Sequence, residues 1–209
     1  GQVEARLVKR AAIISFGVAI LGGLAIIVVS GMWWLVFVGA LSLWAAWTYT
    51  GGTNPYGYRG LGEVVVFIFF GPVATAGTAY VQVGAVVIES LVTGSGMGFF
   101  AAAVLLINNL RDLPADKKVG KNTLSVRIGG LASRTLITSF LVLPFLLLGF
   151  LLREFPLSIW VLATGIGAVA GGLQVWSTRG PAPLVSALHI ISSVTLVYAT
   201  LLSAAVIFS

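Results

Sequence analysis

The sequence predicts an all-α protein that crosses a membrane several times, and three observations support this. Its 209 residues are 58% hydrophobic and only 9% charged, with a mean hydropathy of +1.06, whereas soluble domains are about a quarter charged. Seven apolar stretches reach the roughly 17 to 25 residues that a bilayer-spanning helix needs. Basic residues gather in alternate connections between these stretches. The chain has no cysteine, which excludes disulfides and thiolate metal sites.

The seven predicted spans follow one another along the chain with short separators. They cover residues 11–29, 32–49, 63–82, 86–109, 131–152, 157–176 and 183–208. Each separator contains glycine, proline or charged residues, which end a helix; the longest are the Gly/Pro-rich run 50–62 and the charged run 110–130. We expect residues 1–209 to form a single transmembrane domain.

The distribution of Lys and Arg predicts the topology. Eleven of the twelve lie in the N-terminal segment, the 50–62 loop, the 110–130 loop with Arg134, and the 177–183 loop, whereas Arg153 alone lies on the opposite side. Because positive loops stay in the cytoplasm, the N-terminus and the 110–130 loop are expected inside and Ser209 outside. The net charge of +6 is therefore a topology signal, and no nucleic-acid partner is predicted.

The stretch 108–129, NNLRDLPADKKVGKNTLSVRIG, concentrates charge in a chain with little of it. Asn108, Asp112 and Asp116 recur every fourth residue, so on a helix they line one face about one turn apart. Carboxylate and amide oxygens suit Mg²⁺, which completes its shell with water and phosphate oxygens. Basic residues beside them suit a metal-bound diphosphate: Arg111, Lys117, Lys118, Lys121 and Arg127. Spacing alone leaves a second interpretation open, since cytoplasmic loops are commonly polar and basic.

The loop 48–63, TYTGGTNPYGYRGLGE, is the second informative stretch. Its glycines and Pro55 permit tight turns, and its tyrosines and Arg59 offer hydrogen-bond donors. Tyrosine at a membrane interface also serves as an ordinary anchor. Glu63 begins a predicted helix, where the helix dipole favours a carboxylate.

Together these two stretches resemble the UbiA superfamily of intramembrane prenyltransferases. The run 108–129 matches every fixed letter of the pattern NNxRDxxxD followed by GKxTLxVRxG, which characterises the second aspartate-rich motif of the branch that prenylates 1,4-dihydroxy-2-naphthoate in menaquinone biosynthesis. The loop 48–63 is similar to the equivalent loop of that branch. The resemblance implies a Mg²⁺-dependent enzyme of the bacterial plasma membrane, which transfers a polyprenyl group from an allylic diphosphate to the aromatic acceptor with loss of CO₂ at a cytoplasmic-side site.

The resemblance also implies roles for individual residues. The metal ligands would be Asn108, Asp112 and Asp116. The catalytic residues would be Asp112, Asp116 and Lys121. The substrate contacts would be Asn108, Asn109, Arg111, Arg59, Tyr49, Tyr58 and Arg127.

The chain departs from the family pattern in one respect. Members have nine helices and two aspartate-rich motifs, whereas this sequence has seven spans and one motif. We therefore expect it to correspond to the C-terminal seven helices and to be inactive alone. Two alternative functions stay open: a prenyltransferase for another aromatic acceptor, of the 4-hydroxybenzoate or chlorophyllide type, or a non-enzymatic, transporter-like membrane protein.

Overall fold

The computed structural model describes residues 4–53, 55–177 and 180–209, and most of these residues are helical, as predicted. The α-helices are α1 (Ala5–Ser30), α2 (Leu35–Thr50), α3 (Gly62–Ile68), α4 (Ala74–Val83), α5 (Ile88–Lys118), α6 (Leu124–Leu151), α7 (Gly165–Trp176) and α8 (Ala182–Phe208). A π-helical turn, Phe69–Val73, joins α3 to α4, and a 3₁₀-helix, Pro156–Thr164, leads into α7. Within the described residues the helices therefore form seven segments that match the seven predicted spans in order, which confirms the predicted all-α class.

The spans have the length and surface of membrane helices. Six are long and apolar enough to cross a bilayer, and α2, with 16 residues, is a shorter seventh. Large apolar side chains such as Phe37 and Ile166 lie on the outer surface of the spans, where lipid chains take the place of water. The hydroxyls of Thr48 and Thr78 each donate to the carbonyl oxygen one turn earlier, at 2.7 Å. Such bonds satisfy polar groups that lipid would leave unpaired, and the protein is an integral membrane protein.

The end predicted for the span that precedes the charged stretch is wrong by several residues. The span predicted to end at 109 continues as α5 to Lys118. Helical residues begin again at Leu124, but Gly129 interrupts them at a φ of 80° and a ψ of 169°, so the continuous span begins close to the predicted residue 131. The 31 residues of α5 extend about 46 Å at 1.5 Å per residue, well beyond a hydrocarbon core of about 30 Å. Leucine, arginine, alanine and lysine are good helix formers, so the helix persists where hydropathy falls. The connection shrinks to residues 119–123.

The described chain divides into two compact units, and the first ends at Gly52. In this unit α1 and α2 are joined by a turn at Gly31, whose φ of 70° places it in the left-handed region that glycine accepts without strain. The rings of Phe16 and Trp47 lie 6.1 Å apart between the two helices. Among the described residues of this first unit, the buried apolar ones are Ile27 and Ala45.

The second unit, residues 53–209, has an aromatic cluster at the centre of its core. Phe100 of α5 lies edge-on to Tyr198 of α8 at 5.1 Å between ring centroids, and Phe145 of α6 lies 5.7 Å from Tyr198. The Tyr198 hydroxyl donates to the Pro144 carbonyl at 3.1 Å. Edge-to-face rings and a satisfied hydroxyl are the geometry that aromatic side chains favour in cores, so this cluster ties three helices together.

Glycines bring α3 and the π-helical turn close to α5. A Cβ on Gly98 of α5 would lie 2.6 Å from the Phe67 carbonyl oxygen, and one on Gly71 would lie 2.6 Å from the Gly94 carbonyl oxygen. Only residues without a side chain allow backbones to approach this closely. The contact holds α3 beside α5, where the aspartate motif lies.

Arg179, which belongs to a predicted inner loop, lies outside the described residues.

Candidate functional site

One face of α5 carries the oxygen-bearing side chains of the motif. The helix runs on to Lys118, so Asn108, Asp112 and Asp116 lie on a helix, as the prediction of a shared face requires. Successive residues of a helix are rotated by about 100° around its axis. Asn108, Asp112, Asp116 and Asn109 then fall within an arc of about 100°. The face presents two carboxylates and two amides along its last three turns.

Asp112 is held by its own chain neighbour. Arg111 donates from Nε to Oδ1 at 2.8 Å and from a terminal nitrogen to Oδ2 at 2.9 Å. The side chains are 32% and 47% exposed, so solvent screens the pair and its net contribution to stability is small. Arg111 can therefore leave Asp112 for another anion at little cost.

Asp116 lies in a different environment, buried at 7% exposure. Lys121 approaches it twice: its Nζ lies 3.6 Å from Oδ1, and its backbone N–H donates to the Asp116 carbonyl at 3.0 Å. The same ammonium lies 4.7 Å from the centroid of the Tyr58 ring, within cation–π range. Lys121 is thus held between a carboxylate and an aromatic face.

The two informative stretches of the sequence meet in space. A short 3₁₀ turn, Tyr56–Arg59, lies against the 119–123 loop, where the Asn122 N–H donates to the Tyr58 carbonyl at 3.0 Å. The Arg127 Nε donates to the Asn122 carbonyl at 3.2 Å. Gly60 ends the turn at a φ of 74°, and a Cβ there would lie 2.8 Å from the Arg127 Cδ. The positive φ therefore favours glycine at this position, whereas the exposed Arg127 side chain could shift to admit a Cβ.

Glu63 is the residue of the site whose contact the sequence does not predict. It lies in the first turn of α3, as a dipole-favoured carboxylate should, but it is also 2% exposed and its Oε1 accepts a hydrogen bond from the Asn109 Nδ2 at 2.7 Å. The partners are 46 residues apart, so no local spacing connects them. The available signal is an ionisable side chain within a membrane span, which by default suggests function.

The remaining predicted residues are placed as follows. Asn108 is half-buried on α5, and Arg59 and Arg127 are exposed beside the 119–123 loop. Tyr49 lies, half-buried, in the last turn of α2, in the first unit. For Tyr58 the structure gives a role to the ring, which faces Lys121, where the sequence pointed to the hydroxyl.

The donor set of this face fits Mg²⁺. In the part of the chain that the structure describes, no three His, Cys, Asp or Glu side chains come together as a metal cluster. The oxygen donors are therefore the two carboxylates, Asp112 and Asp116, with the amide of Asn108. Mg²⁺ is commonly held by one or two carboxylates together with water and substrate phosphate oxygens, so the arrangement suits an ion that arrives with a diphosphate.

An open, mostly apolar groove of about 420 Å³ lies elsewhere, between the Pro156–Trp176 span and α8. Its lining residues are Thr164, Gly167, His189, Ile190, Ser193, Val194 and Val197. None of the predicted site residues lines it. The aspartate face is the stronger candidate for chemistry because polar and charged groups converge there.

Comparison with known proteins identifies a family and several relatives. The UbiA prenyltransferase family matches residues 1–187. A relative from Mycobacterium tuberculosis is 37% identical over 203 residues, which cover 97% of this chain and 69% of the relative. Relatives from Mycobacterium leprae and Escherichia coli are 44% and 41% identical over 66% and 64% of this chain. All three carry the name 1,4-dihydroxy-2-naphthoate octaprenyltransferase.

The matches to the M. leprae and E. coli proteins span 46% and 45% of their lengths, so the chain matches a little under half of each. No solved structure matches the chain significantly.

Proposed function

Since the chain belongs to the UbiA prenyltransferase family, we propose that it carries the site for transfer of a polyprenyl group from an allylic diphosphate to 1,4-dihydroxy-2-naphthoate. The names of its relatives support this acceptor. The observation that carries the proposal is the face of α5, where Asp112 and Asp116 lie beside the cations Arg111 and Lys121. Acidic and basic groups in one place suit a ligand that brings both metal and phosphate.

The reaction is an electrophilic aromatic substitution. The C–O bond to the prenyl group breaks and its electron pair leaves with the diphosphate. The electron-rich ring forms a bond to the allylic carbon, and loss of the acceptor's carboxylate as CO₂ returns an electron pair to the ring. The apolar surroundings of the spans would keep water away from the electron-deficient carbon.

The leaving diphosphate is where the residues of this chain act. Mg²⁺, held by Asn108, Asp112 and Asp116, would supply positive charge as the diphosphate departs. Lys121 would add a second positive charge, because Asp116 and the Tyr58 ring keep its ammonium beside the aspartate face before substrate arrives.

Arg111 and Lys121 would exchange partners when the ligand binds. In the structure each neutralises one carboxylate. With a diphosphate present, the two cations can turn to its oxygens while the carboxylates turn to the metal. The exchange keeps every charge paired, which matters because unpaired charge in a partly desolvated site is costly. Arg59 and Arg127, exposed on the adjoining segments, are positioned to extend the same positive surface.

We place the site on the cytoplasmic side of the bacterial plasma membrane, with the N-terminus inside. The support is the basic bias of the segments on that side. Water-soluble Mg²⁺ is then available from the side on which the aspartates lie.

The test uses the protein expressed from its complete gene and reconstituted in lipid nanodiscs. It is incubated with Mg²⁺, a polyprenyl diphosphate and either 1,4-dihydroxy-2-naphthoate or 4-hydroxybenzoate, and products are identified by mass spectrometry. We expect a prenylated, decarboxylated naphthol that disappears with EDTA and with Asp116→Ala. Prenylated 4-hydroxybenzoate alone would make the acceptor wrong, and a folded protein without product from either acceptor would refute the proposal.

A further inference from the structure

Glu63 and Asn109 form a buried polar contact between two membrane spans. The Asn109 Nδ2 donates to Oε1 at 2.7 Å, and the glutamate is 2% exposed. The second oxygen, Oε2, is buried and has no hydrogen-bond partner among the described residues. A buried acceptor without a partner costs about 1–3 kcal/mol, and more for a charged group. A carboxylate kept at this position despite its cost calls for a function.

The contact fixes which end of the Asn109 amide faces α3. Carboxylate oxygens only accept hydrogen bonds, whereas an amide has one donating and one accepting end. The Nδ2 must therefore point at Glu63, and Oδ1 becomes the end turned away from it. Without the carboxylate, the amide could rotate by half a turn and exchange a donor for an acceptor.

The orientation matters because of where Asn109 lies on α5. It is seven residues before Asp116, so the two Cβ atoms lie within about 20° of each other around the helix axis and two turns apart. The amide thus belongs to the same face as the predicted metal ligands. Asn109 is half-buried, and its neighbour Asn108 is one of those ligands.

We propose that Glu63 is a positioning residue, which holds the Asn109 amide so that its oxygen is presented on the aspartate face of α5 to the metal-bound diphosphate. This inference rests on the proposed prenyl transfer. Glu63 itself does not touch substrate. It acts through Asn109, and its role requires a hydrogen-bond acceptor on α3 rather than negative charge near the diphosphate.

The test is a double-mutant cycle in the protein expressed from its complete gene, reconstituted in nanodiscs with Mg²⁺. Glu63→Gln keeps the size of the side chain but places a second amide opposite Asn109. Two amides can hydrogen-bond in either orientation, so the Asn109 amide is no longer fixed. Asn109→Asp sets two carboxylates against each other. The double variant, Glu63→Gln with Asn109→Asp, rebuilds the contact with donor and acceptor exchanged, and leaves a carboxylate oxygen on α5 turned away from α3. The control, Glu89→Gln, changes a glutamate in the first turn of α5, at the opposite end of that helix.

We expect Glu63→Gln to lower kcat at least tenfold, with KM for the naphthoate changed less than threefold and the thermal midpoint retained. Asn109→Asp should be more strongly impaired, and the double variant should be at least tenfold more active than Asn109→Asp. The control should match the wild type. The two single variants and the double variant are compared at equal amounts of folded protein. Activity restored by exchanging the donor and the acceptor then indicates a positioning contact and not a simple loss of stability.

Two results would overturn the inference while leaving the proposed function intact. One is an active wild type whose Glu63→Gln variant has the same kcat and KM. The other is a double variant no more active than Asn109→Asp alone. A wild type without prenyl transfer would instead remove the proposed function, so the two failures are distinguishable.

Discussion

The ring of Tyr58, rather than its hydroxyl, should be what the site uses. The Lys121 ammonium lies 4.7 Å from the ring centroid and 3.6 Å from the Asp116 Oδ1. Replacing Tyr58 by Leu removes the aromatic face and frees the lysine to sample other rotamers. Tyr58→Phe keeps the face and deletes only the hydroxyl, so it is the matched control.

The size of the effect follows from the exposure of the lysine. Cation–π contacts are worth about 0.5–1 kcal/mol at exposed sites and about 2 kcal/mol when desolvated. The Lys121 side chain is 37% exposed, which favours the lower range. Since about 1.4 kcal/mol is tenfold in an equilibrium constant, the loss corresponds to about two- to fivefold in affinity for the prenyl diphosphate. We expect Tyr58→Leu to raise KM for the diphosphate by this factor and Tyr58→Phe to leave it unchanged.

The assay is steady-state prenyl transfer in nanodiscs, with each substrate varied in turn. Tyr58→Leu is also made in a Lys121→Met background, where it should have no further effect because the ammonium is already gone. Equal damage from Tyr58→Phe and Tyr58→Leu would refute the reasoning, since it would place the hydroxyl on a substrate. So would a full effect of Tyr58→Leu in the Lys121→Met background.

Three further predictions concern the motif, the helix packing and the outer cations. Asp112→Ala or Asp116→Ala should lower turnover at saturating Mg²⁺ by at least about a hundredfold while membrane insertion is retained, and near wild-type turnover would contradict the metal assignment. Gly98→Ala should lower the thermal midpoint by the equivalent of about 1–3 kcal/mol because the new Cβ would lie 2.6 Å from a backbone oxygen; Gly77→Ala, which meets no atom within 4 Å, should stabilise or be neutral. Arg59→Ala should raise KM for the prenyl diphosphate, and an effect confined to the naphthoate would make that placement wrong.

The sequence predicts the spans well because each depends on local information. An apolar run of sufficient length must become a helix in lipid, since no other open segment satisfies its own backbone. Each predicted span matches a helical segment among the described residues, six of them long enough to cross a bilayer, and the main error lies at α5, where the charged stretch stays helical to Lys118. Hydropathy marks where the bilayer ends, whereas helix propensity decides where the helix ends.

The site is predictable only in part, because some of its contacts join residues that lie far apart in the sequence. Asn108, Asp112 and Asp116 share a helix, so their common face follows from spacing. The contacts of Glu63 with Asn109 and of Tyr58 with Lys121 join residues far apart in the chain. These depend on how closely α3 packs against α5 and on how the 56–59 turn meets the 119–123 loop. No spacing rule in the sequence contains that information.

The two aspartates of the motif differ in burial and in the position of their cation partner. Their replacement is therefore expected to have different structural effects. Asp112 is half-exposed and its ion-pair partner is the preceding residue of the same helix, so its loss breaks an ion pair within α5 and only weakens the longer-range attraction to Lys121. Asp116 is 7% exposed and its cation belongs to the 119–123 loop, which in turn contacts Tyr58. Removing Asp116 therefore leaves Lys121 without its carboxylate and loosens the link between α5, the loop and the 56–59 turn. If Asp116 holds the metal as proposed, arrival of the diphosphate would be coupled to the position of the loop, because Lys121 would have to give up Asp116 in order to turn to the phosphate.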